Sequence, residues 1–178
     1  KLKRDRGNST VNRPQSLTIS AIIEPTFSGG NKVVNRLLND NNFAILANLA
    51  SGDQMNITAN SNLNGDPTVT SVTRPLGVGR NTYRGPAIYQ LDVRYTRTIA
   101  TLWERVKPQF LFEVSNLFNH PNYTSVNTVI NVQPLVISNP ATYATAGTPI
   151  PGGSPNFGRP TGTVLEGRLV QFGLAVRF

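Results

Sequence analysis

The C-terminal residues of the chain alternate between apolar side chains and side chains that are polar or small. The apolar positions are Val170, Phe172, Leu174, Val176 and Phe178, and the positions between them are Gln171, Gly173, Ala175 and Arg177. A repeat of two residues places successive side chains on opposite faces of a β-strand. The segment 168–178 is therefore predicted to form a strand with one apolar face and one polar face.

Four further segments show the same alternation, and they predict strands near residues 16–27, 43–58, 87–101 and 108–119. Each repeat runs for about 9–11 residues, the length of a tilted strand that crosses a bilayer. The residues expected on the apolar face include Tyr89, Leu91, Val93, Tyr95, Phe110, Phe112, Phe172, Leu174 and Val176. The residues expected on the opposite, polar face include Asp92, Arg94, Glu113, Gln171 and Arg177.

Three places in these segments break the alternation, and the first is Ile22, an apolar residue on the polar face of the segment 16–27. Gly52 interrupts the segment 43–58, and a glycine within a strand often marks a β-bulge. Leu111 and Asn116 fall on the unexpected faces of the segment 108–119. The sequence therefore predicts a bulge near Gly52, and either a bulge or a position at the membrane edge for Leu111 and Asn116.

The connections between the segments alternate in length. Residues 25–42 and 103–108 are the shorter links, whereas 60–86 and 119–167 are long and polar. Transmembrane barrels have short turns on the periplasmic side and long loops outside the cell. The pattern therefore predicts an antiparallel meander whose long connections are extracellular loops. Within 25–42, a short helical spacing is present at Val33, Val34, Leu37 and Leu38.

An apolar strand at the extreme C-terminus favours a membrane protein. Chain termini fray in water, so a soluble domain gains little there, whereas the last strand of an outer-membrane barrel faces lipid. The predicted fold is all-β: an antiparallel meander of about five strands, forming the C-terminal part of a large transmembrane β-barrel across residues 1–178. The expected location is the bacterial outer membrane. The closing strand of a soluble sandwich stays open as an alternative.

The net charge of +8 does not indicate nucleic-acid binding. The basic residues are spread over turns and strands, without the aromatic and basic platform that RNA-binding domains use. Barrels carry charge in the lumen and the loops instead, so Asp92, Arg94, Glu113 and Arg177 are expected to face the lumen. Charges in a low-dielectric wall need partners, and we expect these side chains to pair with one another.

No residue pattern indicates catalysis or a metal site. The chain has no cysteine, and His120 is its only histidine, so a transition-metal site lacks ligands. No Ser/His/Asp set is indicated, because the sequence places no partner beside His120. We therefore expect neither an enzyme nor a cofactor. The chain contains neither a run of apolar residues long enough for a transmembrane helix nor a signal peptide. An exported protein needs a signal, so a C-terminal segment of a longer protein is expected.

Several motifs carry a resemblance to known proteins. The pattern Gly173-x-x-Val176-x-Phe178 resembles the C-terminal assembly signal of outer-membrane β-barrels, and this assigns Phe172, Gly173, Leu174, Val176 and Phe178 to such a signal. The run Phe112–Tyr123 resembles the E-x-x-N-L-F-N-x-x-N-aromatic segment of TonB-dependent outer-membrane receptors. Leu49–Thr58 is similar to a strand end of that family, with Asp53 where the family usually has proline.

The remaining motifs follow in the same order as in the family. Asn64–Asp66, Arg74–Pro75 and Gly79–Pro86 are similar to a loop of the Oar-like branch of these receptors. Asn156–Gly158, followed by Arg168–Phe172, resembles the lead into their last strand. The ordered series, rather than any one motif, indicates the C-terminal barrel segment of a TonB-dependent receptor of this branch.

The resemblance implies several parts and partners. Family members have a periplasmic segment that contacts TonB, a plug domain and a 22-stranded barrel, so the missing N-terminal part would supply the plug and the TonB contact. Outer-membrane lipid and the barrel assembly machinery are the other implied partners. The implied function is energised uptake of an unidentified solute. A structural or adhesion barrel without transport stays open, as does a soluble all-β binding domain.

Overall fold

The alternating segments of the sequence form the long strands of the protein. The computed structural model describes residues 6–61, 63, 74–75, 77–99, 106–134, 138–142, 144–163 and 166–177. In chain order, its elements are β1 (Ser16–Ile23), α1 (Lys32–Leu38), β2 (Asn41–Ala50), β3 (Gln54–Met55), β4 (Thr58–Ala59), β5 (Tyr83–Arg84), β6 (Ile88–Thr98), β7 (Lys107–Ser115), β8 (Tyr123–Val126), β9 (Val129–Ile130), a 3₁₀ turn (Pro140–Thr142), β10 (Pro160–Thr163) and β11 (Leu169–Arg177). No helix in the described ranges is both long and apolar enough to cross a membrane.

The chain forms two compact units. The first, named the sheet unit, comprises Ser16–Ala50, Ile88–Asn122 and Leu165–Phe178. The second, named the loop unit, comprises Lys1–Gln15, Ser51–Ala87 and Tyr123–Val164.

The five predicted strands build the sheet unit. The strand order is β1-β2-β6-β7-β11, and every neighbouring pair is antiparallel. This confirms the all-β antiparallel meander. Ser16, Ala50 and Ile88 are paired with one another at one end of the strands. The three chain stretches of the loop unit continue from strand ends at this same end. The shorter links, 24–40 and 99–106, leave the opposite end, so the alternation of connection lengths is confirmed.

The predicted bulge near Gly52 is wrong, because β2 ends at Ala50. The next residues enter the loop unit, where β3 pairs with β5 and β4 pairs in parallel with β9. A β-carbon on Gly52 would overlap the backbone carbonyl groups of Gly85 and Pro86. Glycine therefore permits a close approach of two backbone segments and does not mark a bulge.

The predicted bulge or membrane-edge position at Leu111 is also not observed. The register of β7 with β6 and β11 is continuous through this residue, which lies opposite Thr96 and Gly173. A β-carbon on Gly173 would lie 3.4 Å from Cδ2 of Leu111, so the leucine side chain lies over the glycine. The absence of a side chain at Gly173 therefore accommodates an apolar residue on the polar face.

The helical spacing in the link between β1 and β2 forms α1. Asn31 caps its N-terminus, and its side-chain oxygen accepts a hydrogen bond from the backbone N–H of Val33 at 2.9 Å. The last carbonyl groups of the helix, at Leu37 and Leu38, accept hydrogen bonds from the Asn41 side chain at 3.0 and 2.7 Å. Asparagine side chains thus satisfy backbone groups at both ends of the helix.

Short strands and asparagine side chains hold the loop unit together. The strand pairs are β3–β5, β4–β9 and β8–β10, and Val126 and Val132 are buried. Asn60 accepts a hydrogen bond from the backbone of Val132 at 3.0 Å, across 72 positions of the chain. Such bonds satisfy backbone groups that long strands satisfy elsewhere. The long connections therefore have defined structure over their described residues.

Candidate functional site: the two faces of the five-stranded sheet

Most side chains of the apolar face of the sheet are exposed, whereas Val114 of β7 is buried. Strand register places on it, among others, Leu17, Ile19, Ile23, Phe43, Ile45, Leu49, Tyr89, Leu91, Val93, Tyr95, Phe110, Phe112, Val114, Val170, Phe172, Leu174 and Val176. This confirms the predicted apolar face. Phe172 and Leu174 are 71% and 80% exposed. An apolar surface of this extent would promote association in water, so the face requires an apolar environment.

Among the described residues, aromatic rings form three contacts across neighbouring strands of this face. The ring centroids of Phe43 and Tyr95 are 5.0 Å apart, and those of Phe112 and Phe172 are 5.1 Å apart. Phe110 is the further neighbour of Phe172, at 6.4 Å. Aromatic side chains are enriched where barrel strands pass the membrane–water interface. Their grouping on the apolar face is consistent with a lipid-facing wall.

The polar face carries the predicted ion pair. Arg94 and Glu113 are directly opposite each other on β6 and β7, and Nη2 of Arg94 lies 2.8 Å from Oε2 of Glu113. Nε of the same arginine donates to that oxygen at 3.1 Å. The expectation that the charged residues pair with one another therefore holds for these two.

The other two residues that were expected to pair, Asp92 and Arg177, are arranged differently. Asp92 accepts hydrogen bonds from the neutral Gln90 side chain at 2.9 Å and from the backbone N–H of Asn116 at 2.9 Å. Arg177 lies opposite Lys107, and no carboxylate of the described residues pairs with it. The expected mutual pairing is therefore wrong for Asp92 and Arg177. Arg177 instead borders an open groove.

This groove is polar and lies on the same face. Its volume is about 480 Å³, and its lining includes Glu24, Asn42, Arg94, Gln109 and Arg177. Two arginines, two carboxylates (Glu24 and Asp40) and three amides supply both donors and acceptors of hydrogen bonds. The groove could therefore hold a polar segment or a polar solute.

The motif Phe112–Tyr123 forms a polar junction at the end of β7. Asn122 is 1% exposed, and its side-chain amide accepts from the backbone N–H of Tyr89 at 2.8 Å and donates to its carbonyl oxygen at 3.0 Å. The amide thus replaces the peptide group of a neighbouring strand. His120 lies against the Tyr89 ring, with centroids 5.2 Å apart. No pattern in the sequence indicates this bond, because its two residues are 33 positions apart.

Two further asparagines of the motif hold the turn that follows β7. Asn116 and Asn119 have positive φ angles of 51° and 52°, a conformation that asparagine tolerates better than most residues. The side-chain oxygen of Asn116 accepts from the backbone N–H of His120 at 3.0 Å. That of Asn119 accepts from the backbone N–H of Arg168 at 3.0 Å. Asn116 therefore begins a turn, which explains why it departs from the strand alternation.

The residues of the predicted assembly signal occupy β11. Phe172, Leu174 and Val176 lie on the apolar face, and Gly173 lies beneath Leu111. Phe178 lies outside the described residues. The geometry gives Gly173 a packing role, and the assembly signal itself stays a prediction.

Comparison with known proteins agrees with this geometry. The model of a family described as an outer membrane beta barrel domain matches residues 69–171, more than half of the chain. The chain belongs to this family, and its location is the bacterial outer membrane. No curated protein and no solved structure matches the chain. The apolar face is therefore assigned to the lipid side of a barrel wall.

Sequence reasoning missed an ion pair in the loop unit. Nε and Nη2 of Arg13 donate to the two carboxylate oxygens of Asp53 at 2.6 and 3.0 Å. The hydrogen bonds from Arg13 hold the pKa of Asp53 below its usual value, partial burial opposes this, and the charge of Arg13 adds to the lowering. The Asp53 carboxylate thus has a partner. The sign of it in the sequence was an acidic residue where the motif that Leu49–Thr58 resembles has proline.

We expect the Asp53→Asn substitution to reduce thermal stability at neutral pH by at most about 1 kcal/mol, because the pair is partly exposed. The pKa of Asp53 is lower in the folded protein than in the unfolded chain. The ion pair therefore contributes to stability above the pKa of the unfolded chain, and this contribution is lost as the pH falls through the pKa of the folded protein. The measurement is the melting temperature of wild type and variant against pH. Asp40→Asn is the control, and an equal difference at all pH values would contradict the role of the pair.

Proposed function

We propose that the chain is the C-terminal barrel segment of a TonB-dependent outer-membrane receptor of the Oar-like branch. The complete protein would take up a solute with energy supplied through TonB and without chemistry on that solute. The observation that carries the proposal is the ordered series of family motifs from Leu49–Thr58 to Arg168–Phe172. Membership of the outer-membrane barrel family supports the part of the proposal that makes this chain a segment of an outer-membrane barrel. It excludes the alternative of a soluble binding domain.

The edges of the sheet support a larger barrel. β1 and β11 each pair on one side only within the five-stranded sheet. An unpaired edge in lipid would leave backbone N–H and C=O groups without partners, which is costly in the absence of water. We therefore propose that further strands of the complete protein pair with both edges, as closure of a barrel requires.

The polar face would then line the lumen. The groove beside Arg94 and Arg177 provides both donors and acceptors of hydrogen bonds. Arg177 forms no ion pair with any carboxylate of the described residues. In large outer-membrane transporters a plug fills the lumen. We propose that this groove contacts the plug or the passing solute, and that Asp92, Arg94, Glu113 and Arg177 face that space.

The test uses the complete protein purified from outer membranes. The soluble C-terminal domain of TonB from the same bacterium is expected to bind it, and deletion of the TonB-contact segment should abolish binding. Cells that lack the gene should deplete fewer solutes from a defined medium than wild-type cells do. A protein that has neither a plug nor TonB binding would refute the transport proposal and favour the structural or adhesion barrel.

Phe178 is expected to matter for assembly. Deleting it, or the change Phe178→Ser, should lower the amount of folded protein in the outer membrane, and a charged residue should lower it further. The cost of Lys or Arg near the interface is only about 0–1 kcal/mol, so a large loss would indicate recognition by the assembly machinery. Heat-modifiable mobility on a gel measures the folded fraction. Ala175→Ser on the polar face is the control, and equal folded fractions for Phe178→Ser and wild type would contradict the signal.

A further inference from the structure

Helix α1 carries an apolar face that the described part of the chain leaves exposed. None of its residues is buried, and the exposed fractions are 67% for Val33, 45% for Val34, 55% for Leu37 and 38% for Leu38. At about 100° of rotation per residue, these four side chains cover an arc of about 140°. Lys32, Asn35 and Arg36 occupy the remainder of the helix surface. The helix is therefore amphipathic, and its apolar side faces away from the described residues.

The C-terminal end of α1 is held on the apolar side of the sheet. Asn41 and Arg97 are opposite each other on β2 and β6, on the same face as Phe43 and Tyr95. The Asn41 side chain donates to the carbonyl of Leu38 at 2.7 Å, and Nη2 of Arg97 donates to the carbonyl of Arg36 at 3.1 Å. The Tyr95 hydroxyl donates to Asn41 at 2.7 Å and fixes its orientation. The exposed helix is thus continuous with the lipid-facing surface.

Arg97 indicates the depth at which the helix lies. A cation on the lipid face is strongly unfavourable at the centre of the bilayer and nearly neutral at the interface. Arg97 lies on that face, near the end of β6 from which the short link 99–106 leaves. Lys32 and Arg36 add two cations on the helix itself. This arrangement places basic groups where phospholipid phosphates lie.

We propose that α1 lies in the plane of the membrane, at the boundary between the headgroups and the acyl chains of the leaflet at this end of the sheet. Val33, Val34 and Leu37 insert among the acyl chains, and the nearby cations contact the phosphates. An amphipathic helix with basic residues on its polar side is suited to this position. The interaction depends on the barrel being in the outer membrane and not on TonB-dependent transport.

The test places a fluorophore on each side of the helix. This chain has no cysteine, so Val33→Cys and Leu37→Cys can be labelled with an environment-sensitive dye, with Arg36→Cys as the matched control on the polar side. The complete protein is reconstituted in vesicles of phosphatidylethanolamine and phosphatidylglycerol that contain lipids brominated near the headgroup. Dyes at positions 33 and 37 should be quenched several-fold more strongly than the dye at position 36.

Three results would overturn the proposal. Water-like, unquenched emission at positions 33 and 37 would mean that the helix lies outside the bilayer. Blue-shifted but unquenched emission would mean that protein, either a second copy or another segment, covers the helix. Equal quenching at 33, 36 and 37 would mean that the helix has no preferred side. Heat-modifiable mobility shows which variants fold. Val34→Cys replaces a labelled variant of the apolar side that does not fold, and Lys32→Cys replaces Arg36→Cys.

Discussion

The Leu174→Arg variant should insert poorly and unfold more easily than the wild-type protein. Leu174 is 80% exposed and lies in the middle of the apolar face of β11. An arginine on the lipid face of a barrel costs about 2–4 kcal/mol at the bilayer midplane. In a water-soluble domain the same substitution at so exposed a position would cost almost nothing. The measurement is the free energy of unfolding of the complete protein in lipid vesicles.

Gln171→Arg is the matched control for this variant. Gln171 lies on the polar face of the same strand, opposite Glu113, so a cation there avoids lipid and gains a nearby carboxylate. Its free energy of unfolding should stay close to that of the wild type. Equal losses for the two variants, or no loss for Leu174→Arg, would contradict the assignment of the two faces.

The second large effect is expected at Gly52. The substitution Gly52→Ala would force its β-carbon into the backbone of Gly85 and Pro86, and backbone atoms cannot rotate away as a side chain can. Gly52 does not have a positive φ angle, so the expected damage arises from the close approach alone. We expect the free energy of unfolding to fall by an amount toward the upper end of about 1–3 kcal/mol. The disturbed structure should be the pairing of β3 with β5.

Hydrogen exchange measures this effect locally. The backbone N–H of Gly85 donates to the carbonyl of Asp53 at 2.9 Å, and its protection should fall in the Gly52→Ala variant. Gly30→Ala is the control, because a β-carbon on Gly30 has no atom within 4 Å. Unchanged protection of Gly85 in Gly52→Ala, or an equal loss in Gly30→Ala, would show that the close approach is not the cause.

The long strands could be predicted from the sequence because each has one face in an apolar environment. In β6 the alternation from Tyr89 to Thr96 is complete, and the observed strand Ile88–Thr98 covers it. Arg94 and Glu113 could be expected to pair since both were assigned to the polar face of adjacent strands. Both predictions succeeded because alternation with a period of two assigns each side chain to one face of its strand.

The loop unit could not be predicted in the same way. Its strands β3, β4, β5 and β9 have two residues each, too few to show a period. The end of β2 was misplaced because the residues after Ala50 remain partly apolar while they enter another sheet. The bond of Asn122 to Tyr89 joins residues 33 positions apart, and a sequence pattern contains no information on which distant backbone an amide will meet.

The bond between the Asn119 side chain and Arg168 has a consequence for how loops can change. β6 and β7 are joined by residues 99–106, whereas β7 and β11 are joined by residues 116–168, more than six times as many. Because the entropy of loop closure grows only with the logarithm of length, the longer connection costs only about 1.7 kcal/mol more. The asparagine brings the two ends of that loop together at its base. Insertions and deletions between them should therefore leave the register of β11 intact, so that loop length can vary while the wall stays constant.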